Sequence, residues 1–390
     1  RLEFCLEVED AVANRTYLTY ASEPDEDFFG FGAQFTYFNL KGRRVPIYVM
    51  EQGIGRGLQP LTFVVNLVAK AGGAWHTSYI SIPHYITSKL HSLFLETYEY
   101  AVFDLRNPDR VQISLFSNKM KGSLLAGNSP TGLISCYTEA AGRMRPLPDW
   151  ILDGAIIGMQ GGTDKVRHIW ELLQPQDTPI AAFWLQDWVG QRRTVVGKQL
   201  WWNWELDRKH YPDWEKLVSD CNASGIRLMT YINPFLVDPS AKGDFQCNLF
   251  QEAMGRGFLV NNSRGEPYLV KNTDFDAAML DLANPEARVW MKDVIKQQVI
   301  GAGASGWMAD FGEALPYDAV LHGNIPGSLY HNQYPEVWAK LNREAIEETG
   351  NGDDFVFFNR SGYRESPRHS TLFWLGDQMV TWDQHDGIKS

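Results

Sequence analysis

Two aspartates concentrate the chemical interest of this sequence. Asp310 closes the apolar run Gly306-Trp307-Met308-Ala309, and Asp377 closes Leu372-Phe373-Trp374-Leu375-Gly376. Short apolar runs of this kind read as buried parallel strands, and in a β/α barrel the carboxyl ends of such strands open onto the active site. Cleaving a glycosidic bond passes through a sugar cation, so one carboxylate must meet the anomeric carbon while a second protonates the departing oxygen. Those roles require environments that drive the two pKa values apart. Taken singly, either aspartate could be a helix cap or a solvated turn residue. Delivered to one barrel mouth, the pair predicts a glycosidase.

Other polar residues end apolar runs in the same way: Gln160, Gln186, Asp187, Asn233, Asp281 and Arg360. A buried amide or charge must be paired, so each is either a ligand for sugar hydroxyls or part of a network satisfied within the protein. For any one residue the network is the default. Trp184, Trp188, Trp201, Trp202 and Trp204 cluster around the second strand, where one or two can form a sugar-stacking wall and the rest belong to the core.

Three motif matches are rejected on context. Gly301-Ala302-Gly303-Ala304-Ser305-Gly306 fits a dinucleotide fingerprint but leads from a helix into a strand, the reverse of the required order. Asp310-Phe311-Gly312 lacks the other kinase segments, and Gly53-Ile54-Gly55-Arg56-Gly57 is expected to be followed by no helix and so reads as a turn. The nine histidines form no HxH or HExxH pair, and no metal or other cofactor is expected.

Composition narrows the partners. A net charge of −11 disfavours nucleic acid and anionic membrane surfaces, which reward basic faces. No apolar stretch approaches the roughly 20 residues needed to span a bilayer, and no signal-peptide pattern is visible. The four cysteines have no metal or disulfide-framework spacing and are expected to be buried thiols. The substrate expected is a small carbohydrate.

Two architectures must position these groups. Residues 1–147 show short alternating runs, including Thr62-Phe63-Val64-Val65-Asn66-Leu67-Val68, Ser92 to Glu96 and Val111 to Phe116, and predict an antiparallel β-sandwich. Pro146 and Pro148 mark a boundary. Residues 148–390 then alternate strand and helix. Strands are predicted at 156–160, 180–187, 226–233, 278–281, 307–310, 355–359 and 372–377. Helical spacing runs through Val166, Ile169, Trp170 and Leu173, through Trp214, Leu217, Val218 and Cys221, and through Val337, Trp338, Leu341 and Ala345; Asn284-Pro285 opens a further helix. The fold class is therefore α/β: a (β/α)8 TIM-type barrel, with six or seven of eight strands visible, behind a sandwich. That shortfall, and a first residue that is Arg1 rather than Met, predict that these residues belong to a longer protein.

From Phe28 onward the chain resembles glycoside hydrolase family 31. The resemblance rests on Phe29-Gly30-Phe31-Gly32, Leu280-Asp281-Leu282-Ala283-Asn284-Pro285, the Trp307 to Glu313 segment and Gly376-Asp377. It is nearest to the sulfoquinovosidase branch in Glu51-Gln52-Gly53-Ile54-Gly55-Arg56, Gly158-Met159-Gln160-Gly161-Gly162, Trp184-Leu185-Gln186-Asp187-Trp188, Trp201-Trp202-Asn203-Trp204, Tyr231-Ile232-Asn233-Pro234 and Trp307 to Glu313. The resemblance implies a retaining α-glycosidase without a cofactor, with Asp310 as nucleophile and Asp377 as acid/base. The implied sugar ligands are Gln160, Gln186, Asp187, Gln199, Trp202, Asn233, Trp307 and Arg360, supported from behind by Glu313 and Asp281. The implied substrate is a sulfoquinovoside, such as a glycolipid-derived glycoside. In that branch an arginine stands where this chain has Gln199, and Lys198 or Arg193 are the neighbours able to supply its charge. A neutral-sugar α-glucosidase and a non-catalytic sugar-binding scaffold are the competing readings.

Overall fold

The computed structural model describes residues 1–9, 12–56, 60–69, 72–195, 197–272, 274–350, 352–383 and 387, with 68 and 69 as backbone only. Two antiparallel sheets form the amino-terminal part. One orders the strands Leu2–Glu7, Lys119–Ala126, His91–Leu95, Ser81–Thr87 and Phe28–Gly32; the other orders Thr16–Ala21, Arg110–Leu115, Ala101–Asp104 and Arg44–Ile47. Alternation explains their packing: along Ser81–Thr87 every second side chain is buried. Leu93 and Leu95 of one sheet meet Phe103, Ile113 and Leu115 of the other in a shared core.

One expected strand is a helix. Thr62 to Val68 lies within the helix Pro60–Ala69, opened by a first-turn proline, so a helix does follow the glycine-rich segment at Gly53, against expectation. Its apolar run shows no real two-residue alternation, whereas its polar residues stand four apart and share a helical face. Both polar groups bond the neighbouring chain: buried Thr62 Oγ1 donates to Ile54 O (3.0 Å), and exposed Asn66 Oδ1 accepts from Gly72 N (2.8 Å). Phe63 and Leu67 are left 75% and 76% exposed. The cysteines also differ from expectation, since Cys221 is buried but Cys5 and Cys136 are exposed.

A six-stranded parallel sheet follows, in the order Ala155–Met159, Ile180–Leu185, Arg227–Ile232, Gly306–Ala309, Val356–Asn359 and Leu372–Phe373. Strand order equals chain order, the pattern of a β/α barrel wall. The helices Gly162–Leu173, Trp214–Ala223, Pro285–Val294 and Tyr334–Glu347 fall where the apolar spacing predicts them. Asn284 caps the third through Glu286 N at 2.9 Å, an arrangement that contributes about 1 kcal/mol. Among the described residues no helix is long and apolar enough to cross a membrane.

Residues 278–281 are not a barrel strand. Phe275–Met279 pairs antiparallel with Leu269–Asn272 and Phe235–Leu236 in a separate small sheet. An apolar run signals burial but not the direction of its partners. The last barrel strand is also shorter than expected and stops at Phe373, leaving Asp377 four residues beyond it in irregular chain.

The sandwich is fastened to the barrel near its mouth. Asn332 Oδ1 accepts from Val49 N (3.0 Å), and the His331 ring lies 2.7 Å from both Val49 O and Leu315 O while stacking on Tyr48. Gly362 N donates to Tyr79 O at 3.1 Å, beside a bridge between Ile80 and Gly362.

Candidate active site

Gln160, Gln186, Asn233, Asp310 and Arg360 are each the first residue beyond a parallel strand. A parallel sheet sends all its carboxyl ends one way, so five separate stretches of sequence converge on one mouth. At its centre Asp310 is 6% exposed. Its Oδ2 accepts a short hydrogen bond from the Tyr231 hydroxyl, and Asn233 Nδ2 donates to that hydroxyl in turn (3.1 Å). Its Oδ1 lies 3.3 Å from Arg360 Nε, near enough to pair electrostatically, yet neither atom has a hydrogen-bond partner among the described residues. Asp310 is thus oriented through one oxygen while the other keeps its lone pairs.

Arg360 organises the surrounding charge. Its Nη2 donates a short bond to Glu313 Oε1 and lies 3.7 Å from Glu51 Oε2, and its guanidinium sits between the rings of Phe311 (4.0 Å) and Tyr79 (4.7 Å). Burial opposes the cation, but Asp310 and Glu313 outweigh burial and hold Arg360 protonated. The Tyr231 hydroxyl is pushed far up by burial and by Asp310, so it remains a donor. Burial, opposed by Arg360, raises Glu313. Asp377 keeps an exposed edge at the rim, but the protein around the rest of it raises its pKa, with Glu51 and Asp310 adding to the rise and Arg360 opposing it. A buried, oriented carboxylate within electrostatic reach of a carboxyl whose pKa is raised is the pairing that acid-assisted glycoside cleavage needs.

The backbone at this mouth is strained. Phe311, directly after Asp310, has φ 57°, and Trp202 and Trp204 have φ 47° and 46°. Such left-handed positions cost about 1–3 kcal/mol each in residues other than glycine and persist where packing over-determines them. Here Trp202 stacks on Phe235 and meets Phe311 and Phe275 edge-on, forming an aromatic wall beside Asp310.

The remaining expected residues divide. Gln160 Nε2 donates to Gln186 Oε1 (2.6 Å), and Gln191 Nε2 donates to Gln160 Oε1 (2.9 Å), so these amides form one polar rim. Asp187 lies beneath them, fully buried, accepting from Gly161 N, Gln191 Nε2 and the Tyr211 hydroxyl, with His210 Nε2 at 2.6 Å. Its partners tie it to Gly161, Gln191, His210 and Tyr211 beneath the rim. Asn233 likewise acts on Tyr231 and on Phe235 N, fixing the turn after its strand. Trp307 points into the core, 0% exposed, donating to Asn342 Oδ1 at 2.8 Å. Strand alternation turns it away from Asp310's surroundings. Asp281 accepts from Ala283 N and His322 N and touches none of Asp310, Arg360 and Asp377. Gln199 sits on the hairpin Gln191–Thr194 and Gly197–Leu200, directly opposite Arg192.

Four contributors were not singled out from sequence: Tyr231, Glu51, Tyr79 and Gln191. Tyr231 had a usable signal, a hydroxyl two residues before Asn233 and therefore on the same face of the strand. Glu51 and Tyr79 come from the sandwich, and strand-end logic within the barrel gives no access to them.

Comparison with known proteins agrees with the barrel fold. Residues 146–387 match the glycosyl hydrolases family 31 TIM-barrel domain. The chain is 34% identical over 391 residues to a sulfoquinovosidase of Escherichia coli strain K12, covering 100% of this chain and 57% of that protein. It is 34% identical over 381 residues to a sulfoquinovosidase of Agrobacterium fabrum, covering 97% and 56%. A solved family 31 sulfoquinovosidase from E. rectale, in complex with the aza-sugar inhibitor IFGSQ, superposes with TM-score 0.92 at 35% identity over 98% of this chain and 56% of its own. The chain thus spans little more than half the length of these relatives. With its barrel matched from end to end of the six-stranded sheet, the chain belongs to glycosyl hydrolase family 31.

Proposed function

We propose that this protein is a retaining α-glycoside hydrolase that releases terminal sulfoquinovose from α-sulfoquinovosides. The observation that carries the reading is Asp310, set at a barrel strand end with one oxygen held by Tyr231 and the other without a hydrogen bond beside Arg360. Asp310 attacks the anomeric carbon while Asp377 gives its proton to the leaving oxygen. Asp377 then takes a proton from water, which displaces the sugar from Asp310. Arg360 balances the nucleophile's charge before attack and after release.

Gln199 favours a second reading, a neutral-sugar α-glucosidase, because an amide cannot make the forked, charged contact of a guanidinium with a sulfonate. The hairpin register speaks for the sulfonate. Arg193 and Lys198 pair with each other on the exposed face, whereas Arg192 pairs with Gln199 on the other. Arg192 packs on Trp201 (4.0 Å) and Phe275 (3.9 Å), its Nη2 donates to Trp201 O (2.9 Å), and its Nε is shielded with no partner among the described residues, leaving one donor free to meet an anion. Burial, opposed by Asp274, pulls its pKa down to about 10. Rates on an aryl α-sulfoquinovoside and an aryl α-glucoside decide the substrate. A clear preference for the glucoside retires the sulfonate reading, and no turnover of either retires the enzyme.

A further inference from the structure

The barrel supplies Asp310, Glu313, Arg360 and Asp377, but the acidic residue at 51 comes from the sandwich, 309 positions before Arg360. Glu51 is held tightly for a rim residue. Its Oε1 accepts from the Tyr79 hydroxyl in a short bond and from Gly53 N at 3.2 Å, while its Oε2 faces Arg360 Nη2 at 3.7 Å. Tyr79 is itself fixed, with its ring against Trp374 and under the Arg360 guanidinium, and its backbone carbonyl bound by Gly362 N. A neighbouring contact closes the same gap. A side chain at Gly376, where φ is 91°, would collide with Gln52 at 2.6 Å, so the segment carrying Glu51 lies directly against the segment carrying Asp377.

Glu51 stays partly open to solvent, and closing the rim does not by itself require a third carboxylate beside Arg360. The rim could close equally well around a glutamine, which would still accept from Tyr79 and would add no negative charge to a site already holding Asp310 and Glu313. A charge retained under those conditions is better explained by what it does to its neighbours. Resting on the glycosidase reading above, we infer that Glu51 is a positioning residue of the catalytic site: it steadies Arg360 against Asp310 and keeps the proton on Asp377. The charged groups within electrostatic reach of Asp377 are Glu51 from the sandwich and Asp310 and Arg360 from the barrel, with Arg56 bonded to the adjoining Gln378. Glu51 and Asp310 push the Asp377 pKa up, Glu51 more strongly, and Arg360 pulls it down. The sandwich therefore completes the acid, and the barrel supplies the nucleophile.

The test uses the protein with Glu51→Gln, which preserves size and the acceptor for Tyr79 while removing the charge. The Asp377 carboxyl is titrated by carbon NMR in protein labelled at aspartate and assigned by its loss in Asp377→Asn. Removing a nearby charge should lower its midpoint by about half a pH unit or more. On aryl α-glycosides the basic limb of the pH profile of kcat/KM should move down in parallel, with the rate loss growing as the leaving group becomes more basic. An Asp377 midpoint that does not move overturns the inference. Because the titration needs no turnover, that result is distinct from failure of the proposed function, which would show as no hydrolysis by the unsubstituted protein. Should Glu51→Gln fail to fold, Tyr79→Phe frees Glu51 from its anchor and must shift the Asp377 midpoint in the same direction; no shift again overturns the inference.

Discussion

Asp187 and Asp310 are both buried carboxylates just past the ends of parallel strands, yet they are built differently. Asp187 has four partners, from Gly161, Gln191, His210 and Tyr211, distributed over both oxygens. Among the described residues Asp310 has one hydrogen bond, from Tyr231, and its second oxygen, the Arg360 Nε facing it and Glu313 Oε2 all go without. A satisfied carboxylate is a structural post, because every lone pair already has its donor. An under-bonded one is held in place and remains reactive. The difference separates scaffold from chemistry more sharply than burial or strand position does.

The largest effect expected from this contrast is on turnover. Asp310→Ala should reduce hydrolysis of an activated aryl α-glycoside by roughly four orders of magnitude or more while leaving the unfolding midpoint within a few degrees. A collapse of stability instead would make Asp310 another post. Asp187→Asn should do the opposite, destabilising the fold by about 3–5 kcal/mol in denaturant titrations through orphaned donors, with kcat per folded molecule changed little. Next comes Arg360→Lys, which keeps the charge but not the fork or the stacking between Phe311 and Tyr79; a loss of about 100-fold in kcat is expected. The pH dependence sharpens the comparison further. Since the Asp377 pKa is raised, its protonated, acid-competent form persists to higher pH than an ordinary aspartate allows, and the basic limb of the profile should disappear in Asp377→Asn. The smallest effect is Arg192→Met, which should raise KM for an aryl α-sulfoquinovoside about tenfold and leave that for the α-glucoside nearly unchanged.

Much of this arrangement was legible before any coordinates. Apolar runs ending in Gln160, Gln186, Asn233, Asp310 and Arg360 sit at five strand ends because the strands of a parallel wall, largely buried except for the edge strand Ala155–Met159, leave a simple signature. Where the reading failed, the missing information was directional. The run at 278–281 is apolar for the right reason and pairs with the wrong partners, and Trp307 follows its own strand's alternation into the core. The helix Pro60–Ala69 escaped because its apolar residues Phe63 and Leu67 face solvent while polar Thr62 is the buried one. Whether a polar strand end is satisfied or under-bonded depends on residues far away in sequence, such as His210 for Asp187 and Tyr231 for Asp310. No local pattern carries that.

The fastening of the sandwich at the mouth also bears on how competence is acquired. A refolding chain that has assembled its parallel wall already owns Asp310 and Arg360 but lacks Glu51 and Tyr79 until the amino-terminal sheets dock through Asn332 and His331. Contacts spanning some three hundred positions are among the slowest to form, because closing so long a loop is entropically unfavourable until both ends are ordered. Recovery of hydrolysis should therefore trail recovery of secondary structure, making turnover a reporter of domain docking and not of barrel formation.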